Sequence, residues 1–375
     1  MGERDEAVTS TPIGARLAAW RMRRGLARED LAARAGVSPA HVMQWETGRD
    51  WMDRRGPLAA LAGALRLDPG ELTGQPYPPA GDEHASVRAI AFHLRRQLAQ
   101  PQSTPTSAGL VGDLASRMQA AAAAEAAGDE HTLARALPDL IRAADQVVPV
   151  LPSAGREQGE QLRVQAHVLA AGLLRRLGYR DLAWMMLHRA RPGVAEPLPV
   201  LVEEVRLLID LGLPEYALAR AARAEGAGDD TDLRVLTAFA QAMAGRRRRA
   251  EELLSAAARR AVDEQSLATV AAARAAVAVE HGAPDEAAEH ARAAESAALS
   301  PAARSRLLRV AAAAAARQGD TAQAITDLAE AEAAAPLRLR LDPFARELIA
   351  ALPARASNQA QAEVLARLAE RTGLR

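Results

Sequence analysis

Residues 12–67 hold ten arginines against five acids. A local surplus of five positive charges suits a polyanion, because arginine forks neutralise and hydrogen-bond phosphate oxygens. The surplus does not extend along the chain, whose 375 residues balance 47 basic against 47 acidic side chains. A protein that coats nucleic acid with its whole surface is therefore excluded. All of the basic residues are Arg, which marks a high-GC bacterial genome rather than selection for phosphate forks. Other chemistries lack their residues. There is no Cys, hence no disulfide and no thiolate metal site. No phosphate loop ending in Lys-Ser or Lys-Thr, no Gly-x-Ser-x-Gly and no His-Glu-x-x-His occurs. The eight His residues (41, 84, 93, 131, 167, 188, 281 and 290) never pair at ligand spacing on one helix. The expectation is a non-enzyme without metal or cofactor.

The elements around these arginines are short helices. Pro12 suits the first turn of a helix running to Arg24, and Gly25 ends it. A second helix spans about Arg28–Ala35, with Leu31 and Ala32 inward and Gly36 as the tight turn. Ser38 caps a third helix and Pro39 takes its first position. Val42 and Trp45 face the core, as does Trp20 on the first helix, and Thr47-Gly48 closes the third. Pro57–Leu65 forms a fourth helix, and Asp68-Pro69 starts a short fifth.

This segment resembles the Cro/phage-repressor (XRE) helix-turn-helix family. The likeness rests on Arg21 before Gly25, Leu31-Ala32, the turn Ala35-Gly-Val-Ser38 and Trp45-Glu-Thr-Gly48. It covers about 60 residues, one sixth of the chain. It implies a five-helix DNA-reading domain whose third helix enters the major groove, with Arg21 paired to Glu46 as the lock between first and third helices. Residues 38–44 then carry the base-facing positions: Ser38, Pro39, Ala40, His41, Met43 and Gln44. The Gln44 amide can bond adenine through two atoms, and Pro39 and Ala40 offer apolar contact to a thymine methyl. Arg28 stands where the family usually has Gln, and is expected on a phosphate together with Arg49 and Arg54.

Beyond residue 73 the composition shifts. Gly74-Gln-Pro-Tyr-Pro-Pro-Ala-Gly81 is too rich in Gly and Pro for a regular element. One helix follows over about 83–99, with Val87, Ile90, Ala91, Leu94 and Leu98 on one face, and Pro101–Ser107 breaks the chain again. From about residue 110 helices of 12–20 residues alternate with glycine turns at Gly178, Gly212, Gly245, Gly282 and Gly319, spaced 34, 33, 37 and 37 residues apart. Alanine follows each glycine at five residues (183, 217, 250, 287, 324) and at twelve (190, 224, 257, 294, 331). With about one residue in three Ala, ten such hits arise by chance with probability on the order of 10⁻⁵. The pattern resembles the tetratricopeptide repeat (TPR), with Pro336 at its closing position, although the usual aromatics are mostly missing. Less regular pairs around Gly128 and from Asp342 onward fit capping repeats.

The expected architecture is all-α: a helix-turn-helix domain over 1–73, a linker with one helix over 74–108, and a TPR-like solenoid over 109–375. It resembles peptide-responsive regulators that pair an XRE head with a TPR body. That resemblance implies a homodimeric transcription regulator reading a palindromic double-stranded operator, with a peptide, small molecule or protein effector on the concave face. Those regulators clamp peptides with Asn, and this chain has one Asn, Asn358. Arg206, Arg234, Thr237, Gln241 and Arg274 are the candidates to take that place. The alternative is an interaction scaffold with a vestigial head. With no apolar leader in the first ten residues and no run long enough to span a bilayer, the expected location is the cytoplasm.

Overall fold

The computed structural model describes residues 11–99, 111–151, 153–191, 197–224, 230–294 and 296–374. Among them every regular element is a helix. The first five are α1 (Ile13–Arg23), α2 (Arg28–Ala35), α3 (Pro39–Glu46), α4 (Arg55–Leu65) and α5 (Pro69–Thr73). Ser38 Oγ accepts the His41 N–H at 3.1 Å and starts α3 with Pro39 at its first position. Asp68 caps α5 through the Gly70 N–H at 2.6 Å. Gly36 ends α2 at φ 65°, a left-handed turn that side chains resist. Leu17, Leu31, Val42, Trp45, Leu61 and Leu65 fill the core between them. Helices α1 and α3 approach so closely that a Cβ on Gly14 would lie 1.8 Å from the Trp45 carbonyl oxygen.

Residues 74–81 form no regular element, yet they are packed. Tyr77 is buried, with the Arg346 guanidinium 4.0 Å from its ring. The helix expected over 83–99 is divided at Ala89 into α6 (Asp82–Arg88) and α7 (Ile90–Ala99), and its apolar stripe of Val87, Ile90, Ala91 and Leu94 is buried. The break expected at Pro101–Ser107 lies outside the described residues.

Six helical hairpins then stack: α8 (Val111–Ala127) with α9 (Glu130–Val147), α10 (Ser153–Arg176) with α11 (Arg180–Ala190), α12 (Leu198–Asp210) with α13 (Pro214–Ala221), α14 (Thr231–Met243) with α15 (Arg247–Arg260), α16 (Glu264–Glu280) with α17 (Pro284–Ala293), and α18 (Pro301–Arg317) with α19 (Thr321–Ala334). Each turn holds one glycine at φ between 70° and 89°. The alanines five residues on are all buried, as are those twelve residues on except half-buried Ala224, so small side chains sit where the helices meet. The arginine run that opens α15 is balanced by acids: Arg246 reaches Glu215 at 2.6 Å, Arg247 reaches Glu286 at 2.5 Å and Arg249 reaches Glu252 at 3.0 Å. Helices α20 (Pro336–Leu341), α21 (Pro343–Ala351) and α22 (Gln359–Thr372) complete the chain. The solenoid returns on itself. Arg338 of α20 pairs with Glu125 of α8 at 2.9 Å and also with Glu130, while Leu337 and Leu341 enter the core of the first hairpins.

The head docks on the C-terminal ends of the first helices of these hairpins. Neither α1 nor α4 has a side-chain cap of its own. Carboxylates of the body supply them. Glu347 Oε1 accepts the Ile13 N–H at 2.7 Å, and Glu280 accepts the N–H groups of Arg55 and Gly56 at 2.8 and 2.6 Å. Such caps satisfy backbone donors that burial would otherwise orphan. Apolar groups are exchanged as well. Trp51 of the head, 4% exposed, lies in the core of α18–α22, and Phe344 of α21 lies in the head's core. Arg317 stacks 4.0 Å from the Trp51 ring and bonds Asp50 and Asp53, each at 2.6 Å.

Two outcomes follow from this packing. Gly14→Ala forces α1 off α3 and should destabilise the protein by about 1–3 kcal/mol or more; an unchanged denaturant midpoint would contradict the close approach. Burial pushes the Glu347 carboxyl up to about 7, against the Ile13 hydrogen bond and the charges of Arg346 and Arg16. A raised carboxyl holds its proton more tightly folded than unfolded, so its contribution to stability falls as pH rises from about 4.3 toward 7. Glu347→Gln keeps the acceptor and removes the charge. It should raise the melting temperature by about 3–6 °C at pH 8 and leave it unchanged at pH 4; equal pH slopes in the two proteins would refute the assignment.

Candidate nucleic-acid interface

Docking buries the back of the head and leaves the front open. Pro39, Ala40 and His41, the first turn of α3, are exposed, as are Ser38 and Arg49 on either side of the helix. Met43 and Gln44 are half-buried on the same helix, and Val42 and Trp45 are buried on its inner face. The His41 ring stacks on Trp45 with centroids 5.5 Å apart and planes at 19°, which holds the imidazole against the helix. Helix α3 thus presents its N-terminal turn toward solvent. Ser38 is committed locally as the cap of that turn.

One carboxylate sets the angle between α1, α2 and α3. Glu46 is buried, and both its oxygens are engaged. Arg21 donates Nε to Oε1 at 2.5 Å and Nη2 to Oε2 at 3.0 Å, and Arg28 donates Nε to Oε2 at 2.6 Å. Arg21 also reaches the Leu26 carbonyl at 2.9 Å, tying the lock to the α1–α2 turn. Burial alone would raise the Glu46 carboxyl, but the hydrogen bonds from Arg21 and Arg28 and their charges hold it below its ordinary value. Arg28 was expected on a phosphate. It keeps 41% of its side chain exposed beside α3, yet its Nε belongs to Glu46.

The other candidates separate. Arg54 sits at the seam with the body, 3.8 Å from Asp53 and against Gly282, apart from the α3 surface. Of the candidates on the body, Arg206 lines the cavity beneath the head, bonded to Asp232 at 2.6 Å. Thr237 bonds back to the Leu233 carbonyl at 2.7 Å, Gln241 accepts from Arg246 at 3.3 Å, and Arg274 pairs with Glu251 at 3.0 Å. Arg234 is half-buried on α14. These four do not line that cavity.

A family model described as a helix-turn-helix domain matches residues 12–73. The chain therefore carries a helix-turn-helix DNA-binding domain. No curated protein and no solved structure matches the chain. The match ends at Thr73, the last residue of α5, so the family boundary coincides with the end of the head. No described helix is long and apolar enough to cross a membrane, and no described cluster of His, Asp and Glu has metal-site geometry. Sequence reasoning missed the seam: Asp50, Trp51, Asp53, Asp210, Glu280, Arg317, Phe344 and Glu347.

Glu46→Gln would take the charged partner from half-buried Arg21 and from Arg28 and should destabilise the protein by about 1–3 kcal/mol at pH 7. A depressed carboxyl contributes stability above its unfolded value, near 4.3, and loses it as pH falls through the folded one. The gap between wild type and variant in chemical denaturation should therefore narrow below about pH 4; a gap independent of pH would contradict the ionised lock.

Proposed function

We propose that this protein is a sequence-specific transcription regulator in which the repeat body fixes the orientation of the DNA-reading head. The observation that carries the reading is the exposure of the first turn of α3 while the opposite side of the head is buried. Gln44 reads a base through its amide, His41 and the apolar Pro39 and Ala40 add contacts, and Met43 lies beside them. Arg49 and the outer part of Arg28 hold phosphates and set register rather than sequence. With few hydrogen-bonding groups on α3, DNA shape supplies part of the discrimination.

The working unit is a homodimer on a palindromic operator, two heads reading half-sites about one helical turn apart. Exposed Trp184, Met185 and Tyr216, on the second helices of successive hairpins, offer apolar surface for pairing. The body also senses an effector, because the surfaces that hold the head are those an effector would have to alter.

Selection of genomic fragments on the purified protein at moderate salt should enrich a two-fold symmetric site. Gln44→Ala should weaken that site about tenfold relative to random DNA, and Arg49→Ala should weaken both alike. No enriched symmetric site would sink the proposal.

A further inference from the structure

The seam between head and body holds a partly open cavity of about 140 Å³. Its wall comes from both sides: Arg55, Leu58 and Gln75 from the head and its trailing segment, Arg175, Asp210 and Phe344 from the body. Arginine dominates the wall, and most of it is paired. Arg55 and Arg175 share Asp210, each at 2.6 Å. Arg176 and Arg338 share Glu130 and Glu125. Arg180 lies 3.3 Å from Asp68, and Arg206 lies 2.6 Å from Asp232.

Arg306 is different. It projects from α18 into the same cavity, and among the described residues no carboxylate lies within ion-pair distance of it and no acceptor takes its N–H groups. Arg306 is exposed, with its side chain on the wall of the cavity. Burial, with Arg206 and Arg338 beside it, pulls its guanidinium down to about 10, and the more distant Glu125 and Asp232 do not restore it. A guanidinium set among like charges, with no carboxylate of its own, is offset by an anion that bridges them. Its planar fork of donors matches a phosphate or carboxylate oxygen pair.

We propose that this cavity binds a small phosphate-type dianion, inorganic phosphate or a compact phosphate monoester, with Arg306 as its principal contact and Arg206 and Arg338 flanking it. Size sets the class. A cavity of about 150 Å³ holds a benzene ring, so this one accommodates a phosphate with a few carbons. The wall belongs to head and body together, so a ligand held by the closed seam strengthens docking by mass action. The inference rests on the reading of the body as a sensor, and names its effector class. It does not depend on DNA binding.

The test is thermal denaturation and calorimetric titration of the full chain with inorganic phosphate, glycerol 3-phosphate and citrate, at constant ionic strength set with chloride. Phosphate or the monoester should raise the melting temperature saturably, and the tighter of the two identifies the source. Arg306→Gln should weaken that binding at least tenfold, and Arg306→Lys should recover part of it. Without phosphate, Arg306→Gln should melt no lower than wild type, because the side chain has no partner to lose. The proposal is overturned by the absence of saturable binding, by equal binding to the Gln variant, by preference for citrate, or by a lower melting point of the ligand-free variant. An enriched DNA site without phosphate binding would remove this inference and leave the DNA-binding reading standing.

Discussion

Arg317 is the contact on which the arrangement of the molecule depends. One guanidinium at the end of α18 bonds Asp50, Asp53 and the Trp51 carbonyl, and lies flat on the Trp51 indole. Arg355 covers the same ring at 4.5 Å. The loop after α3 is thereby drawn into the core of the last helices, while Phe344 of those helices fills the core of the head. Each half contains an aromatic anchor of the other. Head and body are thus one packed unit, and the direction in which α3 faces is set by the solenoid.

The body reaches the head through a repeated register. The residue two places before five of the six turn glycines, all but Gly128, stands at the seam: Arg176, Asp210, Met243, Glu280 and Arg317. Gln75 reaches the Arg176 carbonyl, Asp210 pairs with Arg55, the Met243 carbonyl meets Gly56, Glu280 caps α4, and Arg317 clamps Trp51. The turn glycines contribute through what they lack. A Cβ on Gly212 would lie 2.7 Å from Ala59, and one on Gly178 would lie 2.7 Å from Gln75. The glycine that permits each left-handed turn also lets the head approach the helix ends.

The head was legible in the sequence because its signals are local. Ser38-Pro39, Gly36 and the apolar spacing of Leu31, Val42 and Trp45 depend on neighbours a few residues away. The hairpins were legible for the same reason, through glycine and alanine at fixed offsets. The seam was not, because its pairs join residues more than a hundred positions apart, such as Gln75 with Arg176 and Asp53 with Arg317. In sequence Trp51 is one residue of a loop, and Glu280 is the last residue of an Ala- and Val-rich helix. One signal was available: the residue two before each glycine is charged in four of the five regular repeats, at the end of a first helix. The cavity was hidden for a further reason. Arg306 carries no motif, and its distinction is the absence of a partner, which only the assembled wall reveals.

A regulator built this way does not expose or hide its reading helix by flexing a linker. In the proposed dimer an effector would change the spacing or strength of heads held rigidly on their bodies, since the exchanged aromatics make intermediate positions unfavourable. The most direct measurement uses the chain's lack of cysteine. Spin labels on Glu29→Cys in the head and Arg248→Cys on the body, in the otherwise cysteine-free protein, report the distance between the two units by pulsed electron resonance. The account predicts one narrow distance distribution in the protein without DNA. A broad distribution, as from a head tethered by a free linker, would contradict it.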